Sequence, residues 1–265
     1  IYMGFGIPPE VLTTGECLEW VHSGSAGVGS SLTSEMLASP VRFTNSAGIH
    51  GPPMAETVVG MILYFARGLD FAAVGKGDSR WDANPFYQVD SPIRELGDSV
   101  VGIVGFGGVG GEVAKRALAM GARVIGLRRD DSESAAQPGW TAGVTAESLR
   151  VVTGEDGLYE LLGDSHYVVI SAPSTPATRG IVSRRALAAM RPDAVLVNIS
   201  RGDLVDEDAL VDALREGRLR GAGLDVFGVE PVPRDHPYWG LPNVILTPHV
   251  SGVTRSYWRR EVALI

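Results

Sequence analysis

Gly105-Phe106-Gly107-Gly108-Val109-Gly110 is a G-x-G-x-x-G placed directly after the apolar run Val100–Val104. Each glycine at this spacing has its own use. Gly105 permits a tight turn, Gly107 lets the backbone approach a pyrophosphate, and Gly110 lets a helix pack close to the strand. Glu112–Met120 has helical composition, with Val113, Ala117 and Met120 at helix spacing. The start of such a helix offers free N–H groups and partial positive charge to phosphate. Strand, glycine turn and helix in this order are the context that a dinucleotide fingerprint requires. In a chain with 34 glycines, the spacing without that context would be a turn and nothing more.

The other half of such a site lies at the end of the second strand, where NAD-binding chains carry an acid for the adenosine ribose. Here Arg123–Leu127 reads as that strand and is followed by Arg128 and Arg129, Arg128 standing about 18 residues beyond Gly110. A guanidinium is suited to a 2′-phosphate, which it meets in a planar, charge-assisted contact. The pattern therefore predicts NADP. NAD is the alternative, with both arginines in solvent and Asp130 on the ribose.

The elements that must hold these residues are legible as alternating short apolar strands and helices. Val168–Ser171, Ala194–Ile199, Ala222–Val226 and Val244–Leu246 read as strands. Leu158–Leu162, Arg184–Met190 and Glu207–Glu216 read as helices between them. Such alternation predicts an α/β fold with a doubly wound parallel (Rossmann) sheet, spanning residues 51–250. Asp130–Thr153 is long for one connection and reads as a surface excursion carrying one extra strand, Leu149–Val152. Pro52-Pro53 opens a helix that continues over Ala55–Leu69, with Val58, Val59, Ile62, Leu63 and Ala66 on a broad apolar face. Gly75–Asp98, broken by Pro85, Pro92 and Gly97, reads as a linker crossing between domains. Residues 1–50 form part of a second, smaller α/β domain, with strands at Cys17–His22 and Val41–Thr44. Residues 251–265 begin a helix that returns to it. The loop Ser23–Gly29 after the first of those strands is either an anion-holding loop, through its backbone N–H groups, or an ordinary connection.

Composition sets the outer bounds. A net charge of −8 argues against general nucleic-acid binding. The single cysteine, Cys17, allows no intramolecular disulfide and no cysteine-based metal site, so no metal is expected. That usage fits a reducing cytoplasm. The longest apolar stretch, Val58–Ala66, is too short to span a bilayer, so no membrane partner is expected.

Three further motifs follow the glycine turn in order: N-I-S-R-G-D-L-V-D-E-D-A-L at Asn198–Leu210, L-D-V-F-G-V-E-P at Leu224–Pro231 and T-P-H-V-S-G at Thr247–Gly252. Together they resemble the D-2-hydroxyacid dehydrogenase family over nearly the whole chain, and its members acting on glyoxylate and hydroxypyruvate most of all. The resemblance implies catalytic roles for Arg201, Glu230 and His249. It sets the cofactor against Gly108, Val109, Ala172, Pro173, Thr178, Ile199, Ser200, Asp225 and Gly252. It likens Ser25–Val28 to the family loop whose amides hold the substrate carboxylate, which makes Ala26, Gly27 and Val28 substrate-binding residues. Gly29 departs from the aspartate common in the family, which touches the loop's geometry and not its backbone chemistry. Family members also carry a further strand and helix before a segment like Ile1–Trp20 and a longer tail, so the smaller domain reads as incomplete. The wide apolar face of the helix over Ala55–Arg67, with the family's pairing through its cofactor domain, implies a homodimer.

The chemistry of the residues agrees with that resemblance. Reduction of a 2-keto acid needs the carboxylate held, the carbonyl polarised and a proton delivered. An arginine fork such as Arg201 serves the first two. A histidine such as His249 serves the third, oriented by a carboxylate such as Glu230. All three follow or end predicted strands, where open parallel sheets bind their ligands. Two other readings remain open: oxidation of another small anion such as formate or phosphite, and a non-catalytic protein that senses dinucleotide.

Overall fold

The computed structural model describes residues 1–29, 31–129 and 144–265. They divide into two compact units, Ile1–Pro53 with Gly252–Ile265, and Met54–Ser251. In chain order the elements begin with β1 (Tyr2–Gly4), α1 (Pro9–Thr14), β2 (Trp20–Ser23), α2 (Ser34–Ala38) and β3 (Arg42–Asn45). Next come α3 (Gly51–Ala66), α4 (Leu69–Gly77), α5 (Asn84–Tyr87), β4 (Val100–Val104) and α6 (Gly108–Ala119). β5 (Arg123–Arg128), β6 (Leu149–Thr153), α7 (Gly154–Asp164), β7 (Tyr167–Ile170) and α8 (Arg184–Ala189) follow. The chain then closes with β8 (Val195–Asn198), α9 (Glu207–Arg215), β9 (Gly221–Leu224), β10 (Val244–Leu246) and α10 (Tyr257–Leu264).

The larger unit is a seven-stranded sheet in the order β10-β9-β8-β7-β4-β5-β6, parallel throughout. Its central strands β4, β7 and β8 are buried at every position and almost wholly apolar, because both faces are covered. Val100 and Val104 of β4 join one core while Val101 and Ile103 join the other. β7 divides the same way, Val168 and Ile170 against Tyr167 and Val169. The two-residue period of a strand sends neighbours to opposite faces. One core is closed by Leu161 and Leu162 of α7, Leu187 of α8 and Leu210 of α9, the other by Val58, Ile62 and Phe65 of α3 and Val113 of α6. This is the doubly wound parallel sheet expected. The chain runs from β4 outward to β5 and β6, then crosses back to β7, so the strand order reverses beside the glycine turn. Ligands of open α/β sheets bind at such a reversal.

The smaller unit is a three-stranded parallel sheet, β1-β2-β3, around a core of Ile7, Val21 and Met36. Its strand β2 starts at Trp20 and not at Cys17, because Cys17 lies in a turn closed by Leu18 N–H on Gly15 O at 2.9 Å. Within this unit Glu261 of α10 is buried against His22 at 2.6 Å and Ser46 at 2.8 Å.

Residues 75–98 are not a crossing linker. The chain passes between units after Pro53 and after Ser251, and this whole segment belongs to the larger one. Its ties explain why. Phe71 meets Phe86 edge-on at 5.8 Å, Arg94 N–H reaches Ala66 O at 3.1 Å, and the Arg94 guanidinium pairs with Asp193 at 2.6 Å. α3 itself stops at Ala66 because Gly68, with φ +65, turns the chain into α4. Of α3's apolar face, Val58, Ile62 and Ala66 are consumed by the core, and Val59 and Leu63 stay half-buried. Among the described residues no single helix is long and apolar enough to cross a membrane.

Candidate active site

The glycine turn leaves open space where side chains would otherwise stand. Gly105 has φ +98, and a Cβ there would run into the backbone of Ala172. A Cβ on Gly110 would strike Gly105 O. Glycine at these two positions is therefore a packing requirement. Gly107 and Gly108 differ, since a Cβ on either would meet nothing within 4 Å, and both are exposed. The open space stands at the start of the 12-residue helix α6, whose first N–H groups have no intrahelical partner. An anion such as a pyrophosphate fits this arrangement. Val109 behind it is half-buried against the core.

Arg128 ends β5 beside this turn. Its guanidinium carbon lies 5.4 Å from the centre of the Phe106 ring, and Nε donates to Phe106 O at 3.4 Å. Phe106 is buried over Gly126, where any Cβ would collide with its ring. The sequence G-F-G and the glycine inside R-V-I-G-L thus cooperate to hold Arg128 next to the phosphate turn. Neither Arg128 nor Arg129 is without partners. Asp130 lies outside the described residues.

The C-terminal ends of β7, β8, β9 and β10 carry the remaining candidates. The β7 and β8 ends are tied together by the Ser200 hydroxyl, which donates to Ala172 O. Thr178 closes the intervening loop through its hydroxyl on Pro173 O at 2.6 Å. Ile199 is buried in the core. The Asn198 side chain shapes the turn after β8, accepting from Ser200 N–H at 3.1 Å and donating to Arg201 O at 2.9 Å. Arg201 leaves that turn exposed, with one N–H on Ser200 O at 2.6 Å. Next to it, Asp203 accepts from Ser174 at 2.7 Å and Arg179 at 3.1 Å. The Ser174 hydroxyl, and then Arg179, hold its carboxyl below the ordinary value.

Two of the three proposed catalytic side chains are in direct contact. His249 Nδ1 stands 2.8 Å from Glu230 Oε2. The other Glu230 oxygen accepts from Phe227 N–H at 3.0 Å, so the carboxylate is oriented before it meets the ring. Both side chains remain partly exposed, His249 by 48% and Glu230 by 38%, which leaves the imidazole reachable. With Nδ1 turned to a carboxylate, Nε2 is the nitrogen left for a ligand. Arg201 makes no hydrogen bond to either among the described residues.

Sequence reasoning overlooked what joins these pieces. Gly202 approaches the backbone of Phe227 and Gly228 so closely that no Cβ fits. This contact holds the Arg201 turn against the turn that orients Glu230. Its only signal in the sequence was a glycine following the arginine. Asp225, which the resemblance sets against the cofactor, is fully buried and accepts from Thr247 Oγ1 at 2.5 Å, Val250 N–H at 2.9 Å and Ser251 N–H at 2.9 Å. Gly252 belongs to the smaller unit, where its carbonyl lies 3.3 Å from His50 Nδ1. Ala26, Gly27 and Val28 also belong there, in the loop after β2. Their loop is fastened by Asn45 Nδ2 on Ala26 O at 2.7 Å and by Ser31 and Leu32 N–H on Val28 O, both at 2.9 Å. Among the described residues no group of three or more His, Cys, Asp or Glu is placed to hold a metal ion.

Comparison with known proteins gives a consistent picture. Residues 59–251 match the family model described as D-isomer specific 2-hydroxyacid dehydrogenase, NAD binding domain. The chain is 34% identical over 255 residues to a glyoxylate/hydroxypyruvate reductase A of Escherichia fergusonii, covering 94% of this chain and 75% of that protein. It is 32% identical over 253 residues to a D-3-phosphoglycerate dehydrogenase of Methanocaldococcus jannaschii, covering 96% of this chain but only 45% of that longer protein. A crystal structure of a D-isomer specific 2-hydroxyacid dehydrogenase from Xanthobacter autotrophicus Py2, in complex with NADPH and MES, superposes with a TM-score of 0.79. It shares 27% identity and covers 98% of this chain and 80% of its own.

Proposed function

Because the chain belongs to the D-isomer specific 2-hydroxyacid dehydrogenase family, we propose that it reduces a small 2-keto acid of the glyoxylate or hydroxypyruvate kind to the D-2-hydroxy acid, with NADP preferred over NAD. The observation that carries this reading is the His249–Glu230 contact at 2.8 Å, at the strand-end edge that also holds the glycine turn. The glycine turn and the start of α6 would hold the pyrophosphate, and Arg128 and Arg129 the 2′-phosphate. When bound, the reduced nicotinamide supplies a hydride to the carbonyl carbon.

The rest falls to the chain's own side chains. Arg201 presents planar N–H donors to the carboxylate and to the carbonyl oxygen, and it keeps its charge as negative charge grows on that oxygen. His249 releases a proton from Nε2 to the same oxygen. Glu230 keeps Nδ1 as the donor to itself, which fixes the ring and leaves Nε2 for the proton transfer. The amides of Ala26, Gly27 and Val28 are proposed to bind the substrate carboxylate.

NADPH absorbance followed with a panel of 2-keto acids tests the proposal. Turnover with glyoxylate or hydroxypyruvate is expected. Tight NADPH binding with no turnover on any member would overturn it. We also propose a homodimer, supported by Trp81, Tyr87 and Val89, large apolar side chains left fully exposed on the larger unit. A monomer mass by light scattering at micromolar concentration would refute that.

A further inference from the structure

The backbone of His249 is in an uncommon conformation. Its φ is +54, in the left-handed region that glycine and asparagine visit and that other side chains rarely adopt. Such a residue persists where its surroundings over-determine it, and these outliers gather at functional sites. Beside Glu230 on the ring and Thr247 O, which lies 3.0 Å from His249 N, one residue holds this stretch of backbone at several points. Asp225 is fully buried at the end of β9. Its carbonyl oxygen accepts from His249 N–H at 2.8 Å. Its carboxylate accepts from the next two amides, Val250 at 2.9 Å and Ser251 at 2.9 Å, and from the Thr247 hydroxyl at 2.5 Å before them. Two successive backbone N–H groups and one hydroxyl thus converge on the carboxylate, while the N–H before them, that of His249, is held by the carbonyl of the same residue. A carboxylate offers about four acceptor positions, and three are taken by this loop.

We infer that Asp225 is a positioning residue, which acts through His249 by locking the 247–251 loop so that the imidazole meets Glu230 and presents Nε2 in one place. This rests on the reading of His249 as proton donor. It also gives Asp225 a use different from the cofactor contact that the family resemblance implies. The requirement is for an acid. In Asp225→Asn one oxygen still accepts from Val250 and Thr247, but the new NH2 group faces the Ser251 N–H, donor against donor.

The test is Asp225→Asn in the full chain, with kcat measured per NADPH-binding site, NADPH affinity measured without substrate, and amide hydrogen exchange followed at His249–Ser251. A misplacement of about 1 Å costs up to about 100-fold, so kcat should fall by roughly 10- to 100-fold. Exchange at Val250 and Ser251 should rise, and NADPH affinity should stay within about threefold. A merely structural role would lower the number of folded sites and leave kcat per site unchanged, which overturns the inference. So does an unchanged kcat with NADPH affinity lost about tenfold, because Asp225 would then serve the cofactor. Should Asp225→Asn fail to fold, Thr247→Val removes one donor and should lower kcat in the same direction, by less. Unaltered kcat and exchange in that variant refute the lock. A wild-type protein inert toward every 2-keto acid would strike the proposed reaction, while the exchange arm still decides whether Asp225 holds the loop.

Discussion

Replacing Gly202 by alanine should uncouple the two halves of the proposed catalytic group. The added Cβ would fall more than 1 Å inside ordinary carbon–carbon contact, about 3.5 Å, with Phe227 and Gly228. All three nearest atoms are backbone, so no side chain can swing aside. The turn bearing Arg201 must then draw back from the turn where Phe227 N–H orients Glu230, by about 1.5 Å to restore ordinary contact. Misplacement on this scale costs about 100-fold in rate, or roughly 2.7 kcal/mol of transition-state stabilisation. Overpacking of a closed contact costs about 1–3 kcal/mol of stability, which in a chain of this size lowers Tm by roughly 2–4 °C per kcal/mol. The assay is kcat/KM for glyoxylate at saturating NADPH, with NADPH affinity and Tm measured in parallel. Gly240→Ala is the control, since a Cβ there meets nothing within 4 Å. We expect kcat/KM to fall by about 100-fold in Gly202→Ala and NADPH affinity to change little, because the glycine turn is untouched. A Gly202→Ala enzyme within about threefold of wild type would show that the Arg201–Glu230 juxtaposition is not what catalysis depends on.

His249→Asn should lower kcat by roughly 100-fold or more while NADPH still binds, since a proton donor is lost and no phosphate contact is; comparable turnover would remove His249 from the mechanism. NADPH should be preferred over NADH by at least about tenfold in kcat/KM, because a charge-assisted contact of Arg with phosphate contributes about 1.5–3 kcal/mol. Raising salt should erode that preference and Arg128→Asp should reverse it, whereas equal constants for both cofactors would show the arginines serving something else. His166 accepts Val100 N–H on Nδ1 at 3.0 Å, and burial, then the charges of Arg94 and Arg191, push its pKa from 6.5 down to about 4. Between those values the unfolded chain binds the extra proton, so stability should fall as pH drops from about 6.5 toward 4 and be insensitive to this group above 6.5. His166→Asn should flatten that slope by up to about one proton; equal Tm slopes in both proteins would contradict it.

The parallel sheet and the glycine turn were legible in the sequence because their causes are largely local. An apolar run as short as Val100–Val104, followed at once by glycines, reads as a buried strand. Gly107 and Gly110 act within one strand–turn–helix unit, so their spacing in that context states their work, whereas the close approach of Ala172 to Gly105 is known only from the fold. The starts of α8 and α9 are local in the same sense: Ser183 and Asp206 cap them, accepting from Ala186 and Ala209 N–H. α4 was missed for the opposite reason. Its acid Asp70 is buried, because it is matched by Arg220, 150 positions further along the chain. The sequence named Arg201, Glu230 and His249 by motif, each in a separate stretch, and could not say how any was held. Tertiary structure decided that Gly202 must lie on Phe227, that Phe227 orients Glu230, and that the acid of L-D-V-F serves the loop of T-P-H-V-S-G. The first and the last of those contacts join strand ends that are adjacent in the sheet and about 20 or more residues apart in the chain. No local periodicity encodes such a pairing, because a buried carboxylate and a missing Cβ acquire their meaning only from the backbone packed against them.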